Sequence, residues 1–129
     1  MRGAIGPFGR RWLERGARAP VSVGNSRLRQ AIDPAVAAVF EVDVHDLRAP
    51  TRGSTRTAFA RQVAMYLAHV VCGLSLTEVG LLFARDRTTA AHACRVIEDR
   101  RDDPDLDGRL EHLERAVVSL IDALYARRG

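Results

Sequence analysis

The chain has 129 residues, enough for one domain of ordinary size or a small domain with a tail, and all twenty of its basic residues are arginine. Without lysine, a Walker-type ATPase, a protein kinase and a pyridoxal-phosphate enzyme cannot be built in their usual forms, because each needs a lysine at its centre. Sixteen acids leave a formal charge of +4, and the apolar 47% contains only 5% aromatics, so the core must be aliphatic and alanine-rich, which suits close-packed helices better than a β-sandwich.

Residues 1–29 carry seven arginines against the single acid Glu14 and are broken by glycine and proline with no sustained period. They read as a flexible basic arm, with room for a short helix at Gly9–Arg18 around Trp12 and Leu13. An organelle transit peptide has the same arginine-rich, acid-poor composition and is the alternative. The domain proper is then 30–129. Asp33-Pro34 has the form of an N-cap and first-turn proline, opening a helix with Ile32, Val36, Val39 and Phe40 on one face. Asp43 to Leu47 allows one short turn, and residues 49–54 (Ala-Pro-Thr-Arg-Gly-Ser) read as a loop. A longer helix over about 55–72 places Phe59, Val63, Tyr66, Leu67, Val70 and Val71 at helical spacing and stops at Gly73.

Ser75-Leu76-Thr77-Glu78 fits a capping box and starts a helix that ends near Ala84. Asp86 can cap the next, about 87–101, whose apolar positions are Ala90, Ala93, Cys94 and Ile97. Pro104 and the pre-proline Asp103 stop it. The last helix, about 106–127, repeats Leu106, Leu110, Leu113, Val117, Leu120 and Leu124. It is read as core, with a self-association or protein-partner surface as the alternative. The fold class is all-α with five helices. No run of 18 apolar residues occurs, so no membrane partner is expected. Two cysteines are no disulfide framework, and a reducing cytoplasm is the expected compartment.

Charge is segregated: +6 over 1–29, −4 over 30–47, +5 over 48–97 and −3 over 98–129. The cationic middle holds two helices joined by a very short turn. Counting from Leu76, a helix-turn-helix needs a small residue at the fifth position and apolar residues at the fourth, eighth, fifteenth and eighteenth. Gly80, Val79, Phe83, Ala90 and Ala93 meet those needs. The opposite face of the second helix presents Thr88, Ala91, His92 and Arg95, with Arg85 and Arg87 at its start. Hydroxyls suit phosphates, and an arginine fork suits guanine O6 and N7. His69 with Cys72 and His92 with Cys94 hint at a metal, but Cys94 faces the expected core and His92 faces away, so no metal and no cofactor is expected. The acids Asp99, Asp102, Asp103, Asp105 and Asp107 surround a proline turn and read as a solvated loop.

Three stretches resemble a known family: Ala60-Arg61-Gln62-Val63-Ala64-Met65-Tyr66-Leu67, Ser75-Leu76-Thr77-Glu78-Val79-Gly80, and Arg85-Asp86-Arg87-Thr88-Thr89 followed by His92-Ala93-Cys94-Arg95. Their order and spelling are similar to the C-terminal DNA-binding domain of the bacterial replication initiator DnaA, from Gln30 to about Asp122. The resemblance implies base contacts from Arg85, Asp86, Arg87 and Thr88. It implies DNA-backbone contacts from Arg61, Gln62, Leu76, Thr77, Thr89, His92 and Arg95. A minor-groove loop would hold Arg52 and Arg56. Asp86 has a second reading as a plain helix cap.

Departures from the family pattern are informative. Its recognition histidine is Arg87 here, which shifts preference toward a guanine. Its turn is one residue longer and contains glycine where this chain has Phe83-Ala84-Arg85. Its proline before the Arg-Gln pair is Ala60, and its ATPase module has no counterpart in these residues. The expected function is therefore sequence-specific binding of double-stranded DNA by a stand-alone, non-enzymatic regulator of transcription or replication. It would act at DnaA-box-like sites in the cytoplasm, on the nucleoid. A non-catalytic adaptor derived from the same domain is the alternative.

Overall fold

A computed structural model describes residues 21–126. Among them are six helices and no strand: α1 (Val21–Phe40), α2 (Val44–Arg48), α3 (Thr55–Val70), α4 (Leu76–Phe83), α5 (Arg87–Arg100) and α6 (Pro104–Ala126). The expected short helix around Trp12 lies outside the described residues.

Asp33-Pro34, expected to open the first helix, lie inside α1 and not at its start. Proline removes the N–H that would bond the carbonyl four residues back. Here that residue is Gln30, and both Gln30 and Pro34 are exposed, so water can take the freed acceptor. The helix runs on toward Val21 because Leu28 continues the buried stripe of Ala31, Ile32 and Val36.

Local chemistry sets most other boundaries. The short turn after Asp43 is a full helix, α2, with the Asp43 carboxylate accepting from His45 N at 2.7 Å. Ser54 caps α3 by accepting from Thr57 N, and Gly73 reverses the chain at φ 76°. Pro104 is the first residue of α6, where its missing N–H costs nothing, and Asp103 accepts from Asp105 N.

The long α3 lies at the centre and packs against α1, α5 and the shorter α4, while α6 closes over α1. Buried from α3 are Ala60, Val63, Ala64, Met65, Tyr66, Leu67, Ala68 and Val70, so the helix is covered on nearly all sides. Close approach follows from the alanines, as the composition suggested. Along α6 the buried stripe is Leu106, Leu110, Leu113, Val117 and Ile121, and Leu120 is 44% exposed. The expected stripe put Leu120 inside. A straight helix turns every 3.6 residues, so the stripe drifts from a heptad repeat and picks up the residue four after Val117.

Buried charge organises two places. Arg101, at the end of α5, donates from Nη1 to Glu114 Oε2 at 2.9 Å and to Tyr66 Oη at 2.9 Å, and from Nε to Asp107 Oδ1 at 2.6 Å. Tyr66 donates in turn to Glu98. This ties α3, α5 and α6 together. It also moves Asp107 out of the solvated acidic loop in which the sequence placed it. The second place, around Asp33, belongs to the candidate interface.

Candidate nucleic-acid interface

The α4–α5 pair is held by local chemistry at every step. Ser75 Oγ accepts from Glu78 N at 3.1 Å, and Glu78 Oε1 accepts from Ser75 N at 2.8 Å, completing the capping box. At the other end Ala84 takes a left-handed conformation (φ 55°, ψ 44°), and Arg85 N donates to Gly80 O at 2.8 Å. Asp86 then accepts from Thr89 N at 2.7 Å and caps α5. That hydrogen bond holds the Asp86 carboxyl below its ordinary range. A Cβ on Gly80 would lie 2.6 Å from the Arg85 carbonyl oxygen, so only glycine allows the turn to come this close.

Alanine in the left-handed region is strained, because its Cβ crowds the following carbonyl. Ala84→Gly is expected to raise stability by roughly 0.5–1 kcal/mol, read as a higher urea midpoint at unchanged slope. No gain would mean that the turn relaxes its strain in solution.

The helix start and the outer face of α5 come together as expected. Arg87, Thr88, Thr89, His92 and Arg95 are all exposed, and the last four, with Ala91, line one shallow surface recess. The inner face buries Ala90, Ala93 and Ile97. Thr77 is exposed in the first turn of α4, Gln62 is half-buried on α3, and Leu76 turns its side chain toward the core. Arg52 and Arg56 are exposed on either side of Ser54.

Two arginines are not free to reach outward. Arg61 is only 5% exposed and donates to the carbonyls of Leu47 (3.1 Å), Asp46 (3.0 Å), Arg52 (3.2 Å) and Ala49 (3.5 Å). The side chain expected on a phosphate is instead an internal clamp on α2 and the loop after it. Four main-chain carbonyls at the end of α2 and in the loop after it cluster there, and a guanidinium fork matches them. Burial first, then the positive charges of Arg85 and Arg29, lower the Arg61 pKa. Arg85 folds back as well, donating from Nη1 to Phe83 O and Ala84 O. Its guanidinium lies along the turn between α4 and α5.

Asp33, read from the sequence as a helix cap, carries a second cluster of arginines. It is fully buried, and its Oδ2 accepts from Arg48 Nε at 2.8 Å and Arg29 Nε at 3.0 Å. The Arg29 guanidinium lies 4.2 Å from the centre of the Phe83 ring, at the end of α4. The four-residue spacing of Arg29 and Asp33 on a helix was the one available signal.

Among the described residues no three His, Cys, Asp or Glu side chains converge on a metal position. His69 Nδ1 is 2.8 Å from Leu74 O, and burial pushes the Cys72 and Cys94 thiols up to about 12, away from the thiolate form that ligates metals. No described helix is long and apolar enough to cross a membrane.

A glycine-tightened helix pair that presents a cationic, hydroxyl-bearing face at the start of its second helix is a helix-turn-helix of the DNA-binding class. Residues 30–97 match the family described as bacterial DnaA protein helix-turn-helix, and the chain belongs to that family. Among relatives, the chromosomal replication initiator protein DnaA 1 of Protochlamydia amoebophila is 43% identical over 94 residues, which are 70% of this chain and 19% of that protein. The DnaA protein of Bartonella quintana is 44% identical over 97 residues, 72% of this chain and 19% of the relative. The crystal structure of a DNA replication initiation factor aligns with a TM-score of 0.65 at 32% identity, covering 83% of this chain and 32% of that one. The chain thus spans about a fifth of the length of the curated relatives it matches.

Proposed function

We propose that this chain binds double-stranded DNA sequence-specifically at sites related to DnaA boxes, and regulates replication or transcription by occupying them. The observation that carries the reading is the exposed α5 face, on which Arg87 opens the helix and Thr88, Thr89, His92 and Arg95 follow at helical spacing. A guanidinium at the helix start can donate to guanine O6 and N7 together, a contact that lysine would make less selectively. Thr88 joins it at the base edges. Thr89, His92 and Arg95 take phosphates along the groove. Thr77 and Gln62 approach the backbone from α4 and α3. Because the Leu76 side chain is turned inward, contact there would come from main-chain N–H groups at the start of α4. The loop bearing Arg52 and Arg56 enters the adjacent minor groove. Asp86 acts as the cap that orients α5, and Arg61 as the clamp that shapes the loop.

Arg87→Ala is expected to weaken binding by about 1–3 kcal/mol and to relax preference at a single base pair. Titration of wild type and variant against a duplex with a guanine-substituted DnaA box, and against its single-base variants, checks this. Equal loss on every sequence would assign Arg87 to a phosphate. Equal wild-type affinity for scrambled DNA would remove sequence specificity altogether.

A further inference from the structure

Resting on the DNA reading above, we infer that Asp33 is a positioning residue for DNA binding: from inside α1 it fixes the Arg52-bearing loop relative to the helix-turn-helix and so sets the separation of the minor-groove and major-groove contacts. The physical links are continuous. Phe83 ends α4, and the Arg29 guanidinium stacks 4.2 Å from its ring centre. Arg29 donates to Asp33 Oδ2 at 3.0 Å, and Arg48 donates to the same oxygen at 2.8 Å. Arg48 is the last residue of α2, and Leu47 and Ala49 on either side of it have their carbonyls held by Arg61. The segment 46–52 is therefore held twice. Arg61 fastens it to α3, while Asp33 fastens it to α1 and, through Arg29, to the end of α4.

The nature of Asp33 argues for positioning over plain core stability. It is 0% exposed, and Oδ1 is buried with no hydrogen-bond partner, so both of its ion pairs pass through one oxygen. A buried ion pair is weak as a source of stability, since a well-packed apolar residue usually does as well. Its best-attested use is to specify one arrangement of elements among several. Three elements meet here that an apolar side chain could not hold in a fixed register.

The test uses the full chain with Asp33→Asn, and with Arg48→Gln as the variant that leaves the buried position intact. Denaturation first sets the folded fraction of each. Each protein is then footprinted on duplexes that the wild type has recovered from random DNA. Dimethyl sulfate reads guanine N7 in the major groove, and hydroxyl radical reads the minor groove. Both variants should keep the N7 protection and lose the neighbouring minor-groove protection. Affinity should fall about tenfold, with a salt slope smaller by about one. Arg52→Ala should give the same footprint, and adding it to Asp33→Asn should cost little more. Both protections fading together with the folded fraction, or neither changing, would overturn the inference. Wild type protecting no duplex sinks the DNA reading itself. Wild type protecting only the major groove sinks the loop contact and this inference with it.

Discussion

Replacing Arg101 by methionine is expected to cost about 3–5 kcal/mol of folding stability, a large part of the total for a domain of this size. The reason is the group left behind. Glu114 is completely buried, its Oε2 accepts from Arg101 Nη1 at 2.9 Å, and Oε1 has no hydrogen-bond partner at all. Burial already raises the Glu114 pKa despite the nearby guanidinium. Without Arg101 it rises further. A carboxyl whose folded pKa is raised holds its proton where the unfolded chain has lost it. The stability of the variant should therefore fall as pH rises from the ordinary glutamate range upward, and recover as pH is lowered. Urea unfolding of wild type and Arg101→Met across that range gives both the loss and its sign. Arg101→Met with Glu114→Leu should regain most of the stability, because an apolar pair removes the stranded charge. A loss below about 1 kcal/mol with no pH slope would mean that water reaches Glu114.

Gly80→Ala should uncouple folding from DNA binding. Alanine in a helix interior is favoured over glycine by about 1 kcal/mol. Against this, the new Cβ would sit 2.6 Å from Arg85 O and 3.2 Å from the Asp86 carbonyl carbon and oxygen. These are main-chain atoms of the turn, so relief requires α5 to move relative to α4. Overpacking of this kind costs roughly 1–3 kcal/mol, and it should outweigh the propensity gain. Gly108, on the exposed side of α6, is the internal control, because a Cβ there meets nothing within 4 Å. Gly108→Ala should stabilise by up to about 1 kcal/mol and leave DNA affinity unchanged. Gly80→Ala should lower affinity by about tenfold or more even where circular dichroism shows it fully folded, since a small misplacement of a recognition helix forfeits several contacts at once. Unchanged affinity would show that the turn absorbs the methyl group without moving Arg87 or Thr88.

The two variants probe parts of the molecule that differed in how far the sequence disclosed them. Gly80 could be assigned from spacing alone, because a close helix crossing five positions into the motif admits only a small residue. The capping box at Ser75 and the Asp86 cap were legible for the same reason: partners three residues apart are fixed by helix geometry. The exposed row on α5 followed from its helical period. Arg101 and Glu114 were not legible as partners. They sit on different helices, and a charged residue among other charged residues looks solvated until the fold encloses it.

Asp33 shows how a local rule can mislead. Asp-Pro is a good N-terminal signature, yet burial of Leu28 extends the helix past it and places the aspartate in the core. Arginine was the most ambiguous residue of all. Its five donors serve a phosphate, a guanine, a carboxylate or a row of carbonyls equally well, and sequence does not say which acceptor will be near.

By itself, then, the sequence determined the all-helical class, the helix-turn-helix, its caps and the outward row from Arg87 to Arg95, because each of these depends on residues within one or two turns of one another. Only the tertiary structure decided which arginines face outward. Arg61 and Arg85 are turned back onto main-chain carbonyls, Arg29 and Arg48 onto Asp33, and Arg101 onto Glu114, while Arg52, Arg56, Arg87 and Arg95 stay exposed. A guanidinium takes whichever acceptors the fold brings within about 3 Å, and here those acceptors are mostly supplied by segments distant in the chain.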